Sequence, residues 1–114
     1  MEKWKFGVNN NELIELVLKG KKTATCWLFE NDSLDIEESI LLDDYDVKVC
    51  KIKTKRFEII KFKDVLWELA KLEGEFSSLE EWKKFHYEFF EKEKKDFSEE
   101  DLIIFEIFEV IEKY

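Results

Sequence analysis

Gly20-Lys21-Lys22-Thr23-Ala24-Thr25-Cys26-Trp27-Leu28-Phe29 is the stretch from which the fold reads outward. Gly20 suits the left-handed position that ends a helix. From Thr23 to Phe29 the side chains are β-branched, aromatic or apolar, which predicts a strand buried on both faces. Upstream, Asn9 or Asn10 can cap a helix carrying Leu13, Ile14, Leu16, Val17 and Leu18. Downstream, the acidic stretch Asn31 to Glu38 reads as loop. Ser39 to Leu42 and Val47 to Thr54 flank Asp43-Asp44-Tyr45-Asp46 and predict a β-hairpin. Phe57 to Phe62 predicts a further strand. Asp64 is placed to cap a short helix with Val65, Leu66, Leu69 and Leu72, ended near Gly74. Ser78 and Glu81 form a capping box before a longer helix, whose stripe is Leu79, Trp82, Phe85, His86 and Phe89. Leu102 to Ile111 predicts a last strand.

Helix, strands, two helices, strand is not the alternation that a parallel doubly wound sheet requires. The order predicts an α+β fold: a small, mostly antiparallel sheet, curled or closed, with helices packed on it. Thr25 is expected on a central strand, with Trp82 and Phe89 packed against the sheet. The chain has 114 residues and no proline, and nothing in it reads as a linker, so residues 1–114 are expected to form one domain.

Composition narrows the function classes. Leu, Ile, Val and Phe supply 39 of the 114 residues, enough for a core although 41% of the chain is charged. The net charge is −9, which argues against a binder of long duplex DNA. That charge is uneven: Glu30 to Asp46 holds eight acids and no base, whereas Lys48 to Lys63 holds seven bases and one acid, Glu58. The longest apolar runs are four residues, far short of the ~20 a membrane helix needs. Cys26 and Cys50, with one histidine and no C-x-x-C, make neither a disulfide framework nor a zinc site. No secretory leader is recognisable, and a reduced, cytoplasmic chain without cofactors is expected.

No G-x-G-x-x-G, G-x-x-x-x-G-K-[ST], G-x-S-x-G or H-E-x-x-H is present. Cys26 lies in an apolar run and reads as a small core residue. His86 reads either as a catalytic base or as a core-edge residue needing one hydrogen bond. Gly20 to Thr25 carries more chemistry, with two cations and two hydroxyls entering a core strand. A lysine becomes a base only when burial or a neighbouring cation lowers its pKa, and Lys21 adjoins Lys22. Residues 22 and 25 would face opposite ways in a flat strand, so they converge only if Lys22 still lies in the turn. Glu73-Gly74-Glu75 places two carboxylates around a glycine, where a backbone turns or approaches something closely.

These two clusters, in this order, resemble the ASCH domain family, a branch of the PUA-like β-barrels. Trp4-Lys5-Phe6-Gly7 resembles the family's W-x-F-G opening, and Gly20 to Thr25 its G-x-K-T-A-T signature. Cys50-Lys51-Ile52 and Phe62-Lys63-Asp64-Val65 stand where members carry a C-x-I strand and an F-x-x-V junction. Glu73-Gly74-Glu75, then Ser78-Leu79, Trp82, His86 and Phe89-Phe90, follow the E-G-E, S-L, W, H and F-F run. Ser33-Leu34-Asp35 replaces the family's glycine-aspartate turn.

The resemblance implies a five- or six-stranded barrel with a cleft beside the G-x-K-T-A-T loop. It also implies an activity, because small bacterial members include amidohydrolases acting on N4-acetylcytidine. Their lysine and threonine match Lys22 and Thr25, and their glutamate falls at Glu73 by order and spacing. Thr25 would attack an amide carbonyl and Lys22 would take its proton. Glu73 would hold Lys22, or donate to the leaving amine if its pKa is raised. Trp82 or Trp27 would stack on a base, and His86 and Tyr45 would read its polar edge. Lys21, Thr23 and Glu75 complete the expected ligand-binding set, and no metal is expected. The alternative partner is single-stranded RNA, bound or cleaved without amidohydrolase activity, through Lys48, Lys51, Lys53, Lys55 and Arg56.

Overall fold

The computed structural model describes residues 1–114. The elements run β1 (Glu2–Trp4), α1 (Asn10–Leu18), β2 (Ala24–Leu28), β3 (Glu38–Leu42), β4 (Lys48–Lys61), α2 (Trp67–Ala70), α3 (Leu79–Glu93) and β5 (Leu102–Lys113). Short 3-10 turns at Phe62–Asp64 and Lys71–Glu73 flank α2. Five strands form one mixed sheet in the order β1-β3-β4-β5-β2, with only β1 and β3 parallel. Register shifts in β4 at Lys51/Ile52 and Thr54/Arg56 let this long strand bend, and the sheet curls into a half-barrel rather than closing. No helix is long and apolar enough to cross a membrane.

Alternation along β5 builds the two sides of the molecule. Ile103, Phe105 and Ile107 join Ala24 and Leu28 of β2 in the larger core, under Ala70 of α2 and Trp82 and Phe90 of α3. Phe108 faces the other way and packs with Val17 of α1, Leu41, Cys50 and Ile52. Phe62 sits at the hub of the larger core, with rings of Trp82, Tyr87, Phe90 and Phe97 around it at 5.5–6.4 Å.

Several expectations are corrected. The hairpin's second arm and the strand at Phe57 to Phe62 are one strand, β4, because nothing between them breaks the chain and a bulge absorbs the bend. Glu2–Trp4 is an edge strand that sequence reading did not anticipate. Thr25 lies on an edge strand, not a central one. The helix before Gly74 shrinks to four residues, and Asp64 sits in the preceding 3-10 turn instead of capping it. Asn9 occupies the N-cap of α1 without a side-chain cap bond, while Asn10 Oδ1 accepts from Phe6 N–H at 2.8 Å. On α3 the inward stripe is Trp82, His86 and Phe90, at intervals of four, and Phe89 stands one position off it and is exposed. The cap at Ser78 forms as expected, its hydroxyl accepting from Glu81 N–H at 3.1 Å.

Phe62→Ala is expected to lower the unfolding free energy by about 3–5 kcal/mol, a large core truncation. Ser78→Ala should cost only about 1 kcal/mol, the loss of one cap. Urea midpoints of the two variants against wild type check both.

Candidate active-site cleft

The end of α1 sets Lys22. Gly20 adopts φ +75°, Gly20 N–H donates to Val17 C=O and Lys21 N–H to Leu16 C=O, the paired bonds of a Schellman motif. Lys22 N–H also donates to Leu16 C=O at 3.1 Å, which keeps Lys22 in the turn before β2 begins at Ala24. Lys22 and Thr25 therefore line one cleft despite their odd spacing.

The second loop is clamped to the first through its backbone. Thr23 N–H donates to Leu72 C=O at 2.8 Å, and the Thr23 hydroxyl reaches the same oxygen at 3.4 Å. Gly74 has φ +75°, and a Cβ there would meet the Lys21 carbonyl oxygen at 2.3 Å. Only glycine permits both the conformation and the approach. The carboxylates on either side of Gly74 are thereby delivered to Lys22. Its Nζ donates to Glu75 Oε2 at 2.9 Å and lies 3.8 Å from Glu73 Oε1, above the Phe6 ring at 5.3 Å. Lys22 is 2% exposed and Glu73 3%.

Glu73 gathers further donors on its other oxygen. Trp82 Nε1–H and the Cys26 thiol donate to Oε2, and His86 Nε2 lies 3.2 Å from it. His86 Nδ1 meets the Trp82 carbonyl at 3.0 Å, so both ring nitrogens face acceptors. Burial by itself would raise the Glu73 carboxyl. The His86 hydrogen bond and charge, then Lys22 and Trp82, outweigh it and hold the carboxyl below its ordinary range. That direction favours the ionised carboxylate, the form that accepts from Lys22, Trp82 and His86. Burial and the charge of Glu73 push the half-buried Cys26 thiol well up, which disfavours the thiolate a nucleophile needs.

Cys26, Glu73 and His86 bring three ligand atoms within 4.8 Å of one another. Cys26 Sγ and His86 Nε2 both contact Glu73 Oε2, and the Lys22 ammonium 3.8 Å from Glu73 Oε1 opposes a dication there.

The cleft encloses about 540 Å³, within the range of small-molecule sites. Lys22, Thr25, Glu73, Glu75 and His86 meet in it, with Phe6, Leu13, Leu16, Phe85 and Phe89 as apolar walls. Four expected ligand-binding residues do not. Trp82 is fully buried, with Phe62, Phe105 and His86 stacked around it, so no face is free for a base. Tyr45 stands 84% exposed in the β3–β4 turn and lines no part of the cleft. Lys21 points to solvent and contributes its carbonyl to the Gly74 contact, and Thr23 is tied to Leu72. Trp27 lines a second cavity of about 480 Å³ that adjoins the first, sharing Phe6, Gly7, Thr25 and Cys26 with it.

Sequence reading missed Glu106 of β5. It is the cross-strand partner of Thr25, lines that second cavity and accepts from the Thr54 hydroxyl at 2.7 Å. Burial pushes its carboxyl up, with Glu2 and Glu37 adding to that against the Thr54 hydrogen bond. A lone acid inside the apolar run from Ile103 to Phe108 was the available signal.

The family profile described as ASCH domain matches residues 2–112. A crystal structure of a protein from Enterococcus faecalis superposes with a TM-score of 0.86 at 29% identity, covering 100% of this chain and 78% of that one. A crystal structure of an ASCH domain from Lactobacillus crispatus superposes with a TM-score of 0.87 at 25% identity, covering 97% and 79%. No curated protein matches the chain.

Two outcomes are expected. Gly74→Ala should destabilise by about 1–3 kcal/mol from the left-handed backbone alone, and by more because the loops must part, read from a chemical melt. The Glu73 carboxyl titrates lower when folded than unfolded, so its stabilisation is complete above the ordinary glutamate value of about 4.3 and is lost as pH falls through the lower folded value. Urea midpoints taken from about pH 7 to about pH 3 should therefore fall more steeply for wild type than for Glu73→Gln.

Proposed function

The chain belongs to the ASCH domain family, and from that premise we propose that it is an amidohydrolase acting on an N-acylated nucleoside of the N4-acetylcytidine type. The observation that carries the reading is the meeting of Lys22, Thr25 and Glu73 at one cleft, with the lysine buried between two carboxylates. Thr25 is the nucleophile: its Oγ attacks the acyl carbon and forms an acyl-threonine ester. Lys22 takes the Oγ proton. For that it first gives one up, and Glu75 Oε2 is the acceptor at 2.9 Å, on a side chain 25% exposed at the cleft. Glu73 holds Lys22 from the far side and is itself held by Trp82 and His86. His86 is therefore a positioning residue, and Trp82 acts through Glu73.

Single-stranded RNA binding is the competing reading, and the surroundings of its basic stretch weaken it. Lys53 lies across from Glu38 on one side and Glu109 on the other, and Lys51 pairs with Glu112 at 3.4 Å. Arg56 lies 4.0 Å from Glu58. Acids thus intersperse the bases, and an uncharged nucleoside meets no repulsion from a chain at −9.

Wild type is expected to release cytidine from N4-acetylcytidine, resolved by chromatography. Lys22→Ala and Thr25→Ala should each lose roughly 10²-fold or more. Absence of cytidine at high wild-type concentration, together with RNA binding that weakens steeply with salt, would replace this reading with the RNA one.

A further inference from the structure

Amide hydrolysis by Thr25 leaves one requirement unmet, and it rests on the reading just given. An amine is a poor leaving group until its nitrogen is protonated, and Glu73 is ionised, enclosed by donors and aimed at Lys22. A different group has to bring that proton.

We propose that Glu106 is the acid that protonates the leaving amine, and that the cavity beyond Thr25 holds the leaving half of the substrate. Thr25 and Glu106 are directly opposed on antiparallel β2 and β5, so both side chains project from the same face, with Cβ atoms about 4.5–5.5 Å apart. Both line the second cavity, and Thr25 lines the first as well; the two cavities adjoin, with Phe6, Gly7, Thr25 and Cys26 common to both. An acyl group bonded to Thr25 in the first cleft can thus set its amine in the second. That cavity suits a flat heteroaromatic group with a polar edge. Trp27 and Phe57 meet edge to face at 6.4 Å, and Ser39, Thr54 and Glu106 supply hydrogen-bonding groups. The Thr54 hydroxyl, donating to Glu106 Oε2 at 2.7 Å, leaves the other oxygen for the substrate. Burial favours the protonated carboxyl, the form an acid needs.

The steps balance. Thr25 Oγ bonds to the acyl carbon as its proton passes to Lys22. The C–N bond then breaks, its electron pair staying on nitrogen, which takes the proton of Glu106. Water next attacks the acyl carbon and gives its proton to the Glu106 carboxylate. The ester C–O bond breaks, and Thr25 recovers its proton from Lys22. Amide and water become carboxylic acid and amine, and Thr25, Lys22 and Glu106 end as they began.

Leaving-group dependence tests the assignment. An amide needs the acid, whereas nitrophenolate leaves without a proton, so Glu106→Gln is compared with wild type on N4-acetylcytidine and on nitrophenyl acetate. The expected result is amide turnover lowered roughly 10²-fold or more, with the nitrophenol burst from acylation of Thr25 within a few-fold of wild type. Trp27→Ala should raise KM for N4-acetylcytidine with kcat held. Equal amide turnover by Glu106→Gln and wild type, or equal loss of amide turnover and burst, overturns the acid role while leaving the Thr25–Lys22 reading intact. An unchanged KM in Trp27→Ala overturns the placement of the leaving half. A wild type that hydrolyses neither compound overturns both readings together. Glu106→Asp, which keeps the carboxyl, supplies the same amide-to-burst comparison if the glutamine variant does not fold.

Discussion

An ammonium and a carboxylate taken out of water together lose several kcal/mol of solvation each, and their attraction makes up the loss only if the remaining donors and acceptors are also satisfied. Lys22 and Glu73 meet that condition by recruiting the rest of the site. Glu75 and the Glu73 carbonyl serve the ammonium, and Trp82, His86 and Cys26 serve the carboxylate. No buried side-chain nitrogen or oxygen is left without a partner. These residues come from the α1–β2 loop, β2, the segment Glu73-Gly74-Glu75 and helix α3. The pair is thus a junction that ties the two loops and the helix into one unit, and removing either charge strands the other.

The junction also explains why the aromatic residues of α3 do different jobs. Trp82 and His86 stack at 4.3 Å and turn their polar atoms toward Glu73, so the rings belong to the core while their N–H groups belong to the site. Phe85 and Phe89, one helical position away, face the cleft and wall it. One helix therefore both buttresses the charge pair and closes one side of the pocket.

Thr25 depends on a different constraint. It sits on edge strand β2 and borders two adjoining cavities, which also share Phe6, Gly7 and Cys26. The apolar cleft with its buried cation and the more polar cavity with Glu106 are chemically unlike, and a substrate spanning Thr25 would present a different half to each. The acids that make the chain −9 do local work as well: Glu38, Glu109 and Glu112 lie across from the lysines of β4 and break up what reads in one dimension as a basic run.

Local chemistry in the sequence determined much of this. Glycine at 20 ended α1, Ser78 opened α3, alternation marked the strands, and the G-K-K-T-A-T and E-G-E clusters pointed to Lys22, Thr25, Glu73 and Glu75, because caps, periods and short motifs act over a few residues. Only the tertiary structure decided what depends on distant neighbours. Strand order put Thr25 at an edge, and Phe62 and Phe105, each stacked on Trp82, enclosed that ring and denied it to a ligand. The hairpin carried Tyr45 into solvent. The direction of the Glu73 carboxyl reversed for the same reason: burial argues for a raised value, and donors from residues 22, 82 and 86 override it only once folding has gathered them. Glu106 gained its partner Thr25 across 81 positions of chain through one strand pairing, a contact that no local pattern encodes.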